Sequence, residues 1–237
     1  MLFRSRAYIE QIAEHDFPTL TGPRRDPRRF LAYLRAVAAL ESQPASFSAL
    51  TRRMQEEFTA AVGAAAVPAL HDLAERMFLV EDQPAWSPRL RSKQAAAKAP
   101  TRHLADPSLV AGLLGAGVDR LLADPETLGF LFEGQAVHDV RVYAQAAEAR
   151  GVFHYRDSKG RDEIDIVVEG HDGAWLGVEV GLGGGQVSAA AENLRRVAAK
   201  IERAPVGLVV VTPAGIAHRR DDGVLPKIGR ASCRERV

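Results

Sequence analysis

Two carboxylate side chains interrupt apolar segments that have the pattern of buried strands. Asp165 lies in "EIDIVVE" (163–169) and Glu179 lies in "AWLGVEV" (174–180). Moving a carboxylate out of water costs several kcal/mol unless a partner compensates for the lost hydration. If the connecting loop has an odd number of residues, such as 170–174, Asp165 falls directly opposite Glu179. Because a divalent cation commonly relieves the repulsion between two such groups, the sequence predicts a metal-binding carboxylate pair.

A third carboxylate, Glu133, lies on a predicted long helix over residues 127–149. It shares a helix face with apolar residues at the i+4, i+7 and i+11 positions, which are Val137, Val140 and Ala144. A carboxylate on such a face needs a polar partner. We therefore expect Glu133, Asp165 and Glu179 to converge into one acidic pocket that binds Mg²⁺ weakly.

The residue two positions after Glu179 decides what this pocket does. A helix Glu, a strand Asp and a strand Glu-x-Lys together resemble the PD-(D/E)XK nuclease core, in which carboxylates hold Mg²⁺ and the lysine stabilises the phosphate charge. Here the lysine position is Gly181, and Lys200 on the following helix is an alternative source of charge. We expect a core that keeps its acids without efficient cleavage. The alternative is a Mg²⁺-dependent nuclease.

The pattern before residue 86 is helical. Three predicted helices, over 28–40, 46–58 and 67–76, precede the strand-like "MFLVEDQPAW", and this order resembles a winged helix. The recognition-helix position carries charges of both signs, which attract phosphates weakly, on His71, Asp72, Glu75 and Arg76. DNA binding is therefore the weaker alternative to a packing or protein-contact role.

A mixed α/β pattern follows. The long helix precedes "VFHYR", "EIDIVVE" and "AWLGVEV", and a helix over 188–202 leads into "VGLVVVT". We predict an α+β fold, in which a winged-helix-like domain (6–86) and a connector (87–108) precede a PD-(D/E)XK nuclease-like domain (109–226). The predicted sheet core comprises Ile164, Val168, Val178, Val180, Val209 and Val211.

The two ends have the pattern of translated sequencing adapters. "IGRASCRERV" and "MLFRS" each match one, so residues 1–5 and 227–237 are predicted to be artefacts that pack against nothing apolar. These ends hold five basic residues and one acidic residue, so the formal charge of +1 becomes −3 without them. The basic balance therefore gives no support for nucleic-acid binding. Without Cys233 no thiolate zinc site is expected.

The chain resembles one protein family over nearly all of residues 6–226, and several motifs of that family follow one another in the same order. They are "DQPAWSPRLRSK", "RHLADPSL", "LGFLFEGQAVHDVRVYAQA", "VFHYRDSKGRDEIDIVVE", "GVEVGLGGGQVSAAAENL" and "RRDDGVLP". The resemblance is to the C-terminal region of a bacterial and archaeal AAA-type ATPase family. By position, Glu133, Asp165 and Glu179 match its acidic residues, whereas Gly181 departs from the lysine of the family's "EVKLG".

This resemblance implies a larger parent protein. In the family, a P-loop ATPase domain precedes a winged helix and a PD-(D/E)XK-like domain, so ATP binding is expected upstream of Arg6 and only Mg²⁺ is expected here. The expected partners are that ATPase domain and either a nucleic acid or another protein. No apolar run has the length of a membrane span, and the cytoplasm is the expected compartment.

Overall fold

The computed structural model describes all residues except 1, 22–25, 58–61, 64, 90–97, 158, 216–219 and 229–237. The fold is mixed α+β, and the chain forms two compact units. The first unit comprises Met1–Asp82 and Ala99–Gly134, and the second comprises Gln83–Lys98 and Gln135–Val237. Among the described helices, none combines the length and the apolar character that crossing a membrane requires.

Helices dominate the first unit. The first five are α1 (Leu2–Gln11), α2 (Phe17–Thr21), α3 (Pro27–Ala38), α4 (Phe47–Glu57) and α5 (Ala66–Arg76), with a π-helical turn at Ile12–Asp16. A two-stranded sheet of β1 (Val80–Gln83) and β2 (Thr101–Leu104) follows, and then α6 (Pro107–Leu114), α7 (Val118–Leu122) and the start of α8 (Pro125–Ala146). The last residue of β1 and the part of α8 from Gln135 onward belong to the second unit. The three helices predicted before residue 86 are confirmed as α3, α4 and α5.

Aromatic packing and helix caps hold this unit together. Phe17 stacks on Phe30 with ring centroids 4.8 Å apart, and Phe30 stacks on Tyr33 at 6.4 Å. Asp26 caps α3 by accepting a hydrogen bond from the Arg28 amide at 2.9 Å, ahead of a proline in the first turn. The Asp-Pro pairs in the sequence therefore mark helix starts.

The structure differs from the predicted connector over 87–108. Residues Thr101–Leu104 within it form β2, whose four residues are all buried and which pairs with β1. The segment Gln83–Lys98 belongs to the second unit, while the chain from Ala99 to Gly134 belongs to the first. The basic composition of 87–108 concealed this strand because its buried polar side chains have partners within the unit.

The second unit contains a five-stranded sheet of order β3-β4-β5-β6-β7. Its elements are β3 (Gly151–Arg156), β4 (Glu163–Glu169), β5 (Trp175–Val180), α9 (Val187–Ala198), β6 (Gly207–Thr212) and β7 (Leu225–Ile228). The strands β3, β4 and β5 form an antiparallel meander, and β6 and β7 add in parallel. The predicted order of helix, meander, helix and strand is confirmed, while β7 was not predicted.

A helix covers each face of this sheet. Residues Ala136, Val137 and Ala144 of α8 pack on one face with Ile166 and Val178. On the opposite face, α9 packs through Ala191, Leu194 and Val197 against Ile164, Val167 and Trp175. Five of the six predicted core residues lie on the α8 face, but Ile164 lies on the α9 face. The side chain of Ile164 points to the opposite face because the pairing of β3 with β4 is irregular between Ile164 and Val167.

The prediction that residues 1–5 contact nothing apolar stays a prediction, but one residue of this end, Ser5, is packed into the first unit. This residue is buried and its hydroxyl donates a hydrogen bond to the Ser108 hydroxyl at 3.0 Å. Ser5, Ile9 and Ile12 follow at helical spacing, so a small residue at position 5 completes the buried face. At the other end, Ile228 pairs with Thr212 in β7, and Cys233 lies outside the described residues.

We predict that Ile166→Ala lowers the free energy of unfolding by about 2–5 kcal/mol, because Ile166 is fully buried between the sheet and α8. Urea denaturation followed by circular dichroism measures the change. The matched control is Val206→Ala, since this side chain is 73% exposed, and its effect should stay within about 0.5 kcal/mol. Equal effects of the two substitutions would contradict the burial of Ile166 in the core.

Candidate functional site

The two strand carboxylates meet across neighbouring strands of the second unit. In the antiparallel register, Ile166 pairs with Val178 and Val167 with Gly177, so one further step places Asp165 opposite Glu179. The connecting loop is Gly170–Ala174, which has an odd number of residues, so the expected register is confirmed. The two carboxyl groups share a side-chain hydrogen bond.

Neutral donors surround this carboxyl pair. The Val180 amide donates a hydrogen bond to Asp165 Oδ2 at 2.8 Å. Asn193, on α9, donates through Nδ2 to Glu179 Oε1 at 2.8 Å and to the Glu163 carbonyl at 3.0 Å. Each carboxyl group thus has an N–H donor on one oxygen. Peptide and amide donors stabilise a carboxylate without adding a positive charge.

The pair holds a proton at neutral pH. Burial, followed by the negative charge of Asp165, raises the pKa of Glu179 to about 10. Burial also raises the pKa of Asp165 to about 6, an increase that the Val180 amide opposes. Glu179 is therefore the protonated donor of the shared hydrogen bond and Asp165 the carboxylate that accepts it. Because the groups interact strongly, the proton belongs to the pair.

A β-bulge in β4 places Asp165. Phe153 of β3 pairs with Val167, but Tyr155 pairs with Ile164, so β4 contains one extra residue over this interval. This extra residue explains why Ile164 and Val167 share the α9 face of the sheet. A bulge changes the direction of the side chains around it. Here it lies at Asp165, the residue on which the chemistry depends.

Gln83 satisfies the backbone of this bulge. Its buried side-chain amide donates one hydrogen bond to the Phe153 carbonyl at 3.0 Å and another to the Asp165 carbonyl at 2.9 Å. The residues after Gln83 lie alongside β3, since the Trp86 amide donates a hydrogen bond to the His154 carbonyl at 2.6 Å. Gln83 is therefore a positioning residue for Asp165.

The third predicted acid, Glu133, lies on α8 within the first unit, whereas Asp165 and Glu179 lie in the second. Glu133 is half-buried and has an interaction partner. The structure brings Asp165 and Glu179 together, while the convergence of Glu133 with them stays a prediction.

The two positions considered for a cation have different surroundings. Gly181 continues from β5, and its amide donates to the Val211 carbonyl at 2.9 Å. Lys200 pairs instead with Asp162, which also pairs with Arg196. These two cations lower the pKa of Asp162, with the Lys200 hydrogen bond as the largest contribution. The alternative that Lys200 replaces the missing lysine is therefore not supported, because its charge pairs with another carboxylate.

The predicted recognition-helix set is divided between the core and the surface. His71 is buried, and its Nδ1 lies 2.7 Å from the Tyr33 hydroxyl. Asp72 and Arg76 are exposed, and their charged groups lie 3.9 Å apart on the surface of α5. Their opposite charges therefore compensate each other. This helix therefore offers phosphates little net positive charge.

Sequence reasoning missed Asn193 and Gln83. Asn193 precedes the buried Leu194 in an amphipathic helix, and a polar residue at such a position is usually solvated. Gln83 belongs to the polar segment "EDQ", in which nothing distinguishes a buried amide. A usable signal exists only for Asn193, which lies one turn before Val197 on the face that α9 buries.

Family comparisons cover both halves of the chain. Residues 2–120 match the family described as Domain of unknown function (DUF8612), and this match spans half of the chain. The chain therefore belongs to this family. Residues 128–228 match a second family, Domain of unknown function (DUF4143), which is often found with AAA ATPases. These ranges include residues 2–5 and 227–228 of the ends. No curated protein and no solved structure matches the chain.

We predict that the stability of the protein falls as pH rises from about 5 to 10. The folded-state pKa of Glu179 is raised above its unfolded value, so its proton stabilises the fold at low pH and is lost as pH rises through the folded value. Above about pH 7 the slope should not exceed about 1.4 kcal/mol per pH unit, the value for one proton. Below about pH 6 the raised pKa of Asp165 adds a second proton and a steeper slope. Thermal unfolding across this pH range measures it.

Glu179→Gln tests the assignment, because the amide reproduces the protonated carboxyl group. It can donate to Asp165 and accept from Asn193, so the variant should be at least as stable at pH 8 and should lose the pH dependence. The matched control is Glu192→Gln, an exposed position on α9. If Glu179→Gln keeps the wild-type pH dependence, the shared proton is assigned incorrectly.

We also predict that Gln83→Leu lowers the free energy of unfolding by about 1–3 kcal/mol for each carbonyl left without its donor. The same substitution should shift the titration of the Asp165–Glu179 pair, measured by side-chain carboxyl NMR, since the bulge positions Asp165. Gln145→Leu, at an exposed site on α8, is the matched control. A stability loss with an unchanged titration would show that Gln83 has a structural role alone.

Proposed function

We propose that residues 128–228 form a PD-(D/E)XK nuclease-like domain that does not cut nucleic acid efficiently, and that the preceding helical part is winged-helix-like. On this proposal, the chain is a recognition or assembly module of an AAA-type ATP-binding protein. One observation carries it. The acid pair Asp165–Glu179 keeps the strand positions of a nuclease core, while the residue that should follow with a positive charge is Gly181.

The donor set fits Mg²⁺ only weakly. Asp165 and Glu179 supply carboxylate oxygens, which Mg²⁺ prefers. However, one oxygen of each group already accepts an N–H hydrogen bond, and the pair shares a proton that a metal ion must displace. When bound, Mg²⁺ would activate a water molecule and neutralise phosphate charge. The role of the chain's own residues is to hold the two carboxylates in place and to exchange the proton for the ion.

Loss of the lysine affects the rate of cleavage as well as the affinity for a phosphate group. A cation beside the acid pair would stabilise the charge that develops on a phosphate during cleavage, and removal of one such group lowers the rate of an enzyme by about two to three orders of magnitude. Gly181 supplies no such charge. A cation there would also favour ionisation of Glu179, so its absence is consistent with the raised pKa of that residue.

We predict that Gly181→Lys gains Mg²⁺-dependent cleavage of DNA or RNA, whereas the wild-type chain shows little. A Cβ atom at Gly181 would lie 3.1 Å from Gln186 Oε1, which is the end of a flexible side chain and can move. Gly183→Lys is the matched control, because it adds the same charge two residues away where no atom lies within 4 Å. Cleavage is measured with fluorescent single- and double-stranded oligonucleotides.

The outcomes separate the two candidate functions. Cleavage by Gly181→Lys alone would support the non-catalytic assignment of the natural chain. Equal cleavage by the wild-type chain would overturn it in favour of a Mg²⁺-dependent nuclease, the function that the buried acid pair itself favours. If Mg²⁺ stabilises neither protein against heat at pH 8 and neither cuts, the nuclease-like site is wrong.

A further inference from the structure

A second cluster of polar side chains lies in the first unit. It consists of His71, Glu75 and Asp82, which we call the His71 cluster. His71 Nε2 lies 3.3 Å from Asp82 Oδ2 and 3.6 Å from Glu75 Oε2, and the three ligand atoms all lie within 4.8 Å of one another. Ligand atoms around a tetrahedral zinc ion at about 2.0–2.2 Å are separated by similar distances. The cluster therefore has the dimensions of a small metal site.

Local structure produces this arrangement. His71 and Glu75 lie four residues apart on α5, which places them on one helix face. Asp82 comes from β1, the strand that follows α5. The side chain of His71 is 7% exposed, that of Asp82 25% and that of Glu75 44%. The imidazole is therefore held in the interior, while Glu75 forms the side of the cluster that solvent and an entering ion can reach.

Two further residues orient these ligand groups. The Tyr33 hydroxyl lies 2.7 Å from His71 Nδ1, so Nδ1–H can donate to the phenol and leave Nε2 unprotonated for a metal. Arg102 Nε forms an ion pair with Asp82 Oδ1 at 3.2 Å, while the other oxygen, Oδ2, lies beside His71. Metal-ligand side chains in proteins commonly have such outer partners.

Charge distinguishes the cluster from a simple hydrogen-bonded histidine. A neutral His71 could donate its Nε2–H to one of the carboxylates and accept a hydrogen bond from Tyr33. That arrangement brings two carboxylates toward one N–H group, and Arg102 contributes one positive charge beside one of them. A divalent cation would take the place of the N–H and contact all three side chains at once, which one N–H group cannot do.

We propose that His71, Glu75 and Asp82 bind one divalent transition-metal ion, and that zinc is the preferred ion. The ligands are His71 Nε2 and one oxygen from each carboxylate. One nitrogen and two oxygen ligands suit zinc better than Mg²⁺, and three protein ligands leave a fourth position for water. Tyr33 and Arg102 are positioning residues for this site. The site is separate from the Asp165–Glu179 pair and does not depend on the proposed nuclease-like function.

The experiment uses the full chain without an affinity tag. Zn²⁺ is titrated against a chromophoric chelator in the presence of excess Mg²⁺, and Co²⁺ is used in parallel because its visible absorption reports tetrahedral coordination. The variants are Glu75→Gln, which changes an accessible ligand, and Tyr33→Phe, which removes only the outer hydroxyl. Asp72→Asn is the matched control, since Asp72 is exposed on the same helix but lies outside the cluster.

We expect one zinc ion per chain that Mg²⁺ does not displace. Affinity should fall at least tenfold in Glu75→Gln and about 10–100-fold in Tyr33→Phe, while Asp72→Asn binds as the wild-type chain does. Thermal unfolding with Zn²⁺ should show the same order. Wild-type affinity in Glu75→Gln, or the absence of stoichiometric Zn²⁺ and Co²⁺ binding by the wild-type chain, would overturn the proposal. Circular dichroism establishes that each variant is folded.

Discussion

Desolvation of a carboxyl pair on neighbouring strands is the constraint on which the second unit depends. Asp165 and Glu179 meet because the five-residue loop and the antiparallel register place them opposite each other. Two ionised carboxylates in this position would repel strongly, and the pair responds by retaining a proton. The surrounding structure supplies neutral donors, Val180 and Asn193, which hold the geometry of the pair without neutralising it.

This constraint accounts for features that otherwise have no common cause. The bulge in β4 lies at Asp165, and an uninterrupted strand would have kept Ile164 on the same face as Ile166. A bulge leaves backbone groups outside the ladder, and the buried amide of Gln83 bonds two carbonyls at this point. The end of β1 therefore forms part of the support for the acid pair.

Much of the architecture could be predicted from local patterns. The strands "EIDIVVE" and "VGLVVVT" and the long helix over α8 have strong periodicity, and loop arithmetic alone gave the pairing of Asp165 with Glu179. The bulge could not be predicted because the side chain that bonds its carbonyl groups, Gln83, lies 82 residues before Asp165. Such a contact leaves no periodic signal.

Strand β2 could not be predicted because its polar composition hides its burial. "TRHL" contains a guanidinium group and an imidazole, and composition therefore indicates a solvated segment. The strand is buried because Arg102 pairs with Asp82 and donates to the Ala45 carbonyl, and because His103 Nδ1 lies 3.1 Å from the buried Glu41. Burial of a charge follows from its partners, which are distant in sequence, and hydropathy therefore gives the wrong answer here.

The Asp165–Glu179 pair and the His71 cluster thus have different partners for their acids. In the second unit the donors around Asp165 and Glu179 are uncharged, so only one of the two acids can ionise, and a proton balances the other. In the first unit Asp82 lies between a guanidinium group and an imidazole, so positively charged and nitrogen donors accompany this carboxylate. A cation must displace a proton at the Asp165–Glu179 pair, whereas at the His71 cluster a positive side chain, Arg102, already lies beside one of the acids. The chemistry of each site therefore follows from whether a positive side chain accompanies its acids, and Gly181 is the position at which the Asp165–Glu179 pair lacks one.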